Sequence, residues 1–415
     1  MENGGVFIMA RSGTNSADIK QKNLEAVRTL LYRQAPISRA EIAAQLGLTP
    51  ATITNITGEL INAGFIEEIE SDAAASHGIG RKPVLIDIRR DCFTVLGLTL
   101  GRDSTRFAIC DMRGNVLAQG IYEVMNDEYD VMLHQLQGIL SLIEKEYGDL
   151  WKSLLGIGIA IPGVVNAHMG QVKNHGNERR SWCGKPLGKE ISRFTGLPVR
   201  VDNNVKARAS AISLFWPDLL EGEQTYALCY VSFGIACPFV LGNLVFKGDE
   251  DAAGEIGKMI LQPDSQESIS FAPAGSLEAL SSVTSILNQC RDRMNAGEKT
   301  ILHELCPAAE DLSFAQVMEA QRQDDPMVCG IMDKAMFYVG VALANIVSII
   351  NPHLILLSGA IFTNLHNAEV VQDSLMKHAF LADYKSLRVV PLDMGEYAGA
   401  IGAAACCIEK YFVRA

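Results

Sequence analysis

The apolar pattern of residues 38–64, SRAEIAAQLGLTPATITNITGELINAG, predicts two short helices joined by a tight turn. Ser38, followed three residues later by Glu41, is typical of a capping box, and Gly47 suits the left-handed residue that ends a helix. Thr49 is a preferred N-cap, and the proline after it suits the first helical position. Together the two patterns predict a helix-turn-helix.

In the second helix, apolar residues recur at helical spacing, so Ile53, Ile56 and Leu60 are expected to face inward. Short polar side chains on the first turns of the other face suit a recognition helix in the major groove of DNA. The predicted base-reading residues are Thr49, Ala51, Thr54 and Asn55, with Thr52 near a phosphate. The alternative is a helical hairpin that binds no nucleic acid.

Two short strands are predicted next, at residues 65–69 and 84–88, with a polar segment between them. A hairpin after a helix-turn-helix indicates a wing. Arg81 and Lys82, near the end of this segment, are expected to contact phosphates or enter the minor groove. Two adjacent loop cations that are merely solvated are the alternative.

The charge of the chain is unevenly distributed. Residues 1–90 contain ten Lys and Arg and ten Asp and Glu, so the whole net charge of −12 belongs to the rest of the chain. A DNA-binding segment without net charge cannot bind strongly by bulk electrostatics. Affinity must then come from localised contacts and from two heads on one operator, which predicts a homodimer or tetramer.

The composition favours an intracellular protein of several domains. At 415 residues, 48% of them hydrophobic, the chain is long enough for about three domains. The ten cysteines include no C-x-x-C pair, which argues against a disulfide framework and a sequence-local zinc site. No apolar run is expected to approach the length of a membrane span, and the N-terminus lacks a signal-peptide pattern, so a cytoplasmic location is predicted.

From residue 92 onward the pattern predicts a three-strand meander and then alternating helices and strands, which indicates an α/β lobe. A second series of strands, beginning at residue 227, implies a second lobe. The predicted strands are 93–100, 105–111, 116–122, 154–161, 199–201, 227–233, 239–244 and 354–357, and the predicted helices are 131–147, 188–196, 331–350 and 399–411.

Eight blocks in order resemble the ROK family of repressors and sugar kinases. They are the winged helix, the meander, GIGIAIPGVVN (156–166), VDNNVKARA (201–209), AAGEIGK (252–258), GSLEAL (275–280), VGVALANIVSIINPHLILLSGAIF (339–362) and GAIGAA (399–404). The resemblance implies an α/β, actin-like, two-lobed domain around a sugar-binding cleft. The expected organisation is a tail (1–17), a winged helix-turn-helix (18–90), lobe I (91–201 with 395–415) and lobe II (202–394).

The chain departs from the family's kinases at several positions. Thr99 replaces the leading carboxylate of the D-x-G-x-T turn, which organises magnesium and phosphate, and Asp103 is the nearby alternative. The nucleotide-side glycine turn is crowded at residues 236–238. Asn204 stands where the catalytic Asp would be, and an amide cannot accept the sugar proton. The resemblance therefore implies no kinase activity, no catalytic residue and no cofactor.

The family's zinc ligands are also replaced. The matching positions are Lys258, Ile269, Phe271 and Ser276. Structural zinc requires Cys or His, so no metal is expected, and the packing of Phe271 is expected to hold the loop instead.

The resemblance implies a retained ligand pocket. Lys258, at the position of a sugar-binding His, adds a cation and favours an acidic or phosphorylated sugar. Helix capping by Glu255 and a solvated position for Glu278 are the alternatives for these two carboxylates. The expected ligand-binding residues are Gly163, Asn203, Asn204, Glu255, Lys258 and Glu278.

The expected function is that of a transcriptional regulator, a repressor of carbohydrate-use genes that binds operator DNA and a sugar-derived effector. The effector would act by shifting the population of lobe arrangements. Two other functions stay open: a ligand-independent regulator whose vestigial sugar domain is a dimer scaffold, and an active sugar kinase.

Overall fold

The computed structural model describes residues 16–70, 84–101, 104–123, 127–174, 180–380 and 386–414. The chain divides into two compact units. The first unit is Met1–Phe93 with Ile408–Ala415, and the second is Thr94–Cys407.

The first unit has the winged-helix arrangement that the sequence predicts. The capping box is confirmed, because the Ser38 hydroxyl accepts from the Glu41 amide at 3.2 Å and the Glu41 carboxylate accepts from the Ser38 amide at 2.9 Å. Gly47 ends that helix with a φ of 64°. The elements are α1 (Ser16–Gln34), β1 (Ile37–Ser38), α2 (Arg39–Leu46), α3 (Pro50–Asn62), β2 (Ile66–Glu70) and β3 (Val84–Ile88), with β3 between β1 and β2 in an antiparallel sheet.

The C-terminal residues complete the core of this unit. A π-helical turn, Glu409–Val413, carries the fully buried Phe412. The Phe412 ring centroid lies 4.8 Å from that of Phe65 and 6.2 Å from that of Tyr32. The prediction that the chain end belongs to lobe I is therefore wrong for Ile408–Ala415, because this aromatic side chain is buried in the winged-helix core.

The second unit contains two main ladders, one of five strands and one of six. In the first, the predicted meander is confirmed as an antiparallel run, and two further strands add in parallel. Its strands are β4 (Thr94–Leu100), β5 (Thr105–Asp111), β6 (Val116–Tyr122), β7 (Leu154–Ile161) and β10 (Val199–Asn203), in the order β10-β7-β4-β5-β6. A short hairpin, β8 (Val164–Asn166) with β9 (Gln171–Asn174), follows β7 in sequence.

The second ladder has the order β14-β13-β11-β15-β16, and β12 pairs with β11 beside it. Strands β11, β15 and β16 are parallel, while β13 and β14 are antiparallel to their neighbours. The strands are β11 (Tyr226–Val231), β12 (Ile235–Ala236), β13 (Phe239–Leu241), β14 (Leu244–Val245), β15 (Leu354–Ser358) and β16 (Arg388–Pro391).

Helices pack against both ladders. They are α4 (Tyr129–Glu146), α5 (Gly148–Lys152), α6 (Leu187–Thr195), α7 (Asn204–Phe215), α8 (Leu277–Ser281), α9 (Val283–Asn295), α10 (Leu302–Leu305), α11 (Phe314–Arg322), α12 (Pro326–Ile350), α13 (Leu365–His378) and α14 (Ala398–Ile408). By length and composition α12 could cross a membrane, so the expectation that no apolar run reaches that length is wrong. However, 61% of its apolar window is buried inside the structure, as in a core helix.

Helix α14 packs at backbone contact distance, which explains its small residues. A Cβ built on Gly97 would lie 1.9 Å from the Ala400 carbonyl oxygen. A Cβ on Gly402 would lie 2.5 Å from the carbonyl carbon of Ala207, in the first turns of α7. Larger residues at these glycines would push the elements apart.

Candidate functional site

The helix α3 presents a polar face to solvent. Its apolar face is buried at Ile53, Ile56 and Leu60, as predicted. Of the five side chains predicted to meet DNA, Thr52 is half-buried and the other four, Thr49, Ala51, Thr54 and Asn55, are exposed.

The polar side chains of this face differ in what they already bind. The Thr54 hydroxyl donates to the Pro50 carbonyl at 2.9 Å, and the hydroxyl oxygens of Thr49 and Thr52 lie 2.9 Å apart. The side-chain amide of Asn55 makes no hydrogen bond to any residue that the structure describes. Asn55 therefore keeps the fullest hydrogen-bonding capacity for a base edge.

Arg39, which was not among the predicted site residues, holds α3 in place. The Arg39 guanidinium donates to the buried Thr57 hydroxyl of α3 at 2.9 Å and pairs with Glu68 of β2 at 2.7 Å. It thereby joins the recognition helix to the first wing strand. The predicted wing cations, Arg81 and Lys82, lie outside the described residues.

In the second unit, Asn203 caps α7. Its Oδ1 accepts from the amides of Val205 and Lys206, at 2.9 and 3.0 Å, and its Nδ2 donates to the Gly163 carbonyl at 2.8 Å. Gly163 has a φ of 93°, which favours glycine. The structure thus brings these two predicted residues together, with most of the bonding capacity of Asn203 used to position α7 and the Gly163 turn.

Asn204 is the first residue of α7 and is half-buried. Its side chain makes no hydrogen bond within the described part of the chain. Both polar ends of this amide are thus available to a ligand.

Lys258 and Glu278 form an ion pair. Glu278 is 5% exposed, so the solvated alternative is wrong. Its Oε1 accepts from the Ile235 amide at 2.9 Å, and its Oε2 lies 2.5 Å from the Lys258 ammonium.

The same ammonium also holds the loop that would carry zinc in the family. It donates to the Phe271 carbonyl at 2.9 Å and lies 5.4 Å from the centroid of the Phe271 ring. Because Glu278 already compensates the charge of Lys258, this lysine offers no uncompensated cation to an acidic ligand.

Glu255 is the predicted carboxylate that stays uncommitted. It is half-buried and precedes the 3-10 turn Ile256–Lys258, but its side chain makes no cap hydrogen bond, so the capping alternative is wrong. Burial raises the pKa of Glu255, while the neighbouring Lys206 acts in the opposite direction. No described residue donates a hydrogen bond to this carboxylate.

The positions at which the resemblance implies kinase or metal chemistry make other contacts in this structure. A Cβ on Gly399 would lie 2.8 Å from the Thr99 hydroxyl, so the start of α14 packs closely against Thr99 and needs glycine there. Asp103 lies outside the described residues. Ser276 caps α8, accepting from the Ala279 amide at 3.3 Å. Within the described ranges, no group of three His, Cys, Asp or Glu side chains could hold a metal ion.

Comparisons with known proteins agree with this architecture. The model described as ROK family matches residues 95–410, and the one described as winged helix-turn-helix DNA-binding matches residues 29–67. The chain is 25% identical over 402 residues to the xylose repressor of Caldicellulosiruptor bescii, covering 95% of this chain and 97% of the relative.

Solved structures show the same fold. A ROK family transcriptional regulator described as a homolog of the E. coli MLC protein superposes with a TM-score of 0.82 at 27% identity, covering 95% of this chain and 97% of that one. A ROK hexokinase from Thermus thermophilus has a TM-score of 0.60 at 21% identity, covering 76% and 97%, and shows the fold alone. The chain belongs to the ROK family and carries a winged helix-turn-helix DNA-binding domain.

Proposed function

We propose that this protein is a sugar-responsive transcriptional repressor without kinase activity. The observation that carries the proposal is that one chain contains a recognition helix and a ROK domain, in which the side chains of Asn55 and Glu255 make no hydrogen bond to any described residue. The first offers hydrogen bonds to a base edge, and the second offers an acceptor to a small ligand.

The DNA-binding residues of this proposal are Thr49, Ala51, Thr52, Thr54 and Asn55 on α3, with Arg81 and Lys82 in the wing. A neutral DNA-binding segment on an acidic body supports pairing of two heads on one operator, so the protein would act as a homodimer or a tetramer.

The absence of kinase activity is supported by two positions. Asn204 stands where a general base would be, and Thr99 stands where a metal-organising carboxylate would be. Phosphoryl transfer depends on positioned metal and phosphate groups, and neither position supplies an anionic oxygen.

The described contacts suggest how ligand binding would reach the DNA-binding unit. Asn203 caps α7, and Ala207 of the same helix meets Gly402 of α14 at backbone contact distance. The chain runs from α14 directly into the turn whose Phe412 is buried in the winged-helix core. A ligand that prefers one position of α7 would shift the population of DNA-binding conformations.

The effector is proposed to be a sugar, and D-xylose is the first candidate because a relative of the chain is a xylose repressor. The pocket residues of this proposal are Asn204 and Glu255 as direct contacts and Gly163 as the place of close backbone approach. Asn203, Lys258 and Glu278 would hold these groups in position.

The test uses the purified full chain. Thermal unfolding is followed with D-xylose, D-glucose, N-acetyl-D-glucosamine and their phosphates, because a ligand at 100 times its Kd stabilises the folded state by about 2.7 kcal/mol. DNA binding to upstream regulatory fragments is measured with and without each sugar. A thermal shift that Glu255→Ala removes, together with a change in DNA affinity, is the expected result.

One other function is favoured by a specific observation. Three side chains of the proposed pocket, Asn203, Lys258 and Glu278, are already bonded within the protein, as in a domain that serves only as a dimer scaffold. Sequence-specific DNA binding that no sugar alters would support this scaffold and contradict the sensor. A lack of sequence-specific DNA binding would contradict both.

A further inference from the structure

Lys206 is a buried cation near the start of α7 that no predicted role includes. It is 4% exposed, and its ammonium donates to the backbone carbonyl of Asp251. An ammonium carries three donors, and a buried charge is costly unless it is paired. One carbonyl therefore leaves Lys206 with unused bonding capacity.

The carboxylates around Lys206 do not pair with it directly. Within the described ranges, no carboxylate oxygen lies within 4.0 Å of the Lys206 nitrogen, which is the largest distance of an ion pair. Asp202 instead binds Arg200 at 3.0 Å and Lys247 at 2.5 Å, and the Asp251 carboxylate lies 3.7 Å from Lys173.

Of the carboxylates around Lys206, Glu255 is the one that no other described cation pairs with. It exerts the largest charge attraction on Lys206, and Lys206 exerts the largest on Glu255. Burial lowers the pKa of Lys206 and raises the pKa of Glu255, so each charge lacks full compensation. The geometry agrees, because the carbonyl that Lys206 binds belongs to Asp251, four residues before Glu255 in the same loop.

We infer that Lys206 and Glu255 form the two sides of a binding site for one ligand hydroxyl, and that Lys206 determines ligand specificity. A hydroxyl both accepts and donates, so it can accept from the ammonium and donate to the carboxylate. An anionic group there would be repelled by Glu255, and a cationic group by Lys206. The site therefore selects an uncharged hydroxyl of a sugar, and the inference rests on the proposed sugar-sensing function.

This assignment differs from the expectation of an acidic effector based on Lys258. The ammonium of Lys258 is compensated by Glu278 at 2.5 Å, whereas among the described residues Lys206 has only a backbone carbonyl as its hydrogen-bond partner. Of the two lysines, Lys206 is the one with capacity left for a ligand oxygen.

The experiment measures Kd by calorimetry for D-xylose, D-glucose and N-acetyl-D-glucosamine with the full chain. Lys206→Met is expected to weaken binding by about 10- to 100-fold, because a hydrogen bond to a charged group is lost. The ligand-free Tm should stay unchanged or rise, since a buried charge is removed. Lys152→Met, at an exposed lysine of α5, is the matched control and should bind as the wild type does.

Monodeoxy analogues of the bound sugar identify the hydroxyl. One analogue should lose affinity for the wild type yet bind Lys206→Met as well as the parent sugar does, because the two losses are coupled. If Lys206→Met fails to fold, Lys206→Gln, which keeps one donor for the Asp251 carbonyl, replaces it.

The outcomes separate this inference from the proposed function. Wild-type affinity in the Lys206 variant that folds would overturn the role of Lys206 and leave the sugar sensor intact. If none of the three sugars binds the wild type, the sensor proposal and this inference both fail.

Discussion

Helices α3 and α7 both begin with a polar cap, yet they leave different groups available. The cap of α3, Thr49, is exposed. The side-chain amide of Asn55, six residues later in the same helix, makes no hydrogen bond to any described residue. The cap of α7, Asn203, is buried, and its side chain makes three hydrogen bonds within the protein. In the described part of the chain each helix thus keeps one side-chain amide without a hydrogen bond, Asn55 on the exposed face of α3 and Asn204 at the half-buried start of α7.

The largest expected effect tests whether α3 belongs to a unit that includes the chain end. Phe412→Ala removes a fully buried ring beside Phe65 and should destabilise the first unit by about 3–5 kcal/mol. Chemical unfolding and operator binding measure it, and both should be impaired.

Phe380→Ala is the matched control, because the Phe380 side chain is 94% exposed. Equal stability of the two variants would mean that the C-terminal turn is not part of the winged-helix core.

The second prediction sharpens the picture of α3 as a base-reading helix. Asn55→Ala should weaken operator binding by about 1–3 kcal/mol and barely alter non-specific binding. Thr54→Ala should weaken operator binding by less, because the Thr54 hydroxyl already donates to the Pro50 carbonyl. Fluorescence anisotropy with operator and scrambled DNA measures both.

Asn62→Ala, an exposed residue at the end of α3, serves as the control. Equal losses on operator and scrambled DNA would remove Asn55 from base readout.

The third prediction concerns the contact between α7 and α14. Gly402→Ala places a Cβ 2.5 Å from the Ala207 carbonyl carbon, so we expect a loss of about 1–3 kcal/mol in stability. It should also change the effect of ligand on DNA affinity, because α7 must shift.

Gly138→Ala in α4 has open space at the new Cβ and should be neutral or stabilise by up to about 1 kcal/mol. If both glycine variants behave alike in unfolding and in ligand-dependent DNA binding, close packing does not couple α7 to α14.

The features that sequence predicts correctly in this chain are local. The capping box of Ser38 with Glu41, the cap at Thr49 and the inward face of α3 each depend on residues within two helical turns. The two caps also lie at the surface, where few distant groups compete for the same hydrogen bonds.

The cleft could not be predicted to the same extent, because its partners are distant in sequence. Lys258 meets Glu278 across 20 positions, and Lys206 meets the Asp251 carbonyl across 45. No periodicity specifies such pairs, so the sequence carries no signal for the ion pair of Lys258 with Glu278. The burial of Phe412 beside Phe65 likewise joins opposite ends of the chain.

The last prediction is that a substitution of Asn204, at the start of α7, has no effect on the release of ADP. Asn204→Asp returns a carboxylate to the position of a general base, which is worth about 10²- to 10⁴-fold in a complete site. Thr99 still supplies no metal-binding carboxylate, so a γ-phosphoryl group would stay unpositioned. We therefore expect neither the wild type nor Asn204→Asp to release ADP above a protein-free blank with any sugar of the panel, while both keep the same circular dichroism spectrum. Sugar-dependent ADP release by the wild type would show that the cleft of α7 serves catalysis, and the contrast with α3 would then be one between an enzyme site and a DNA-binding surface.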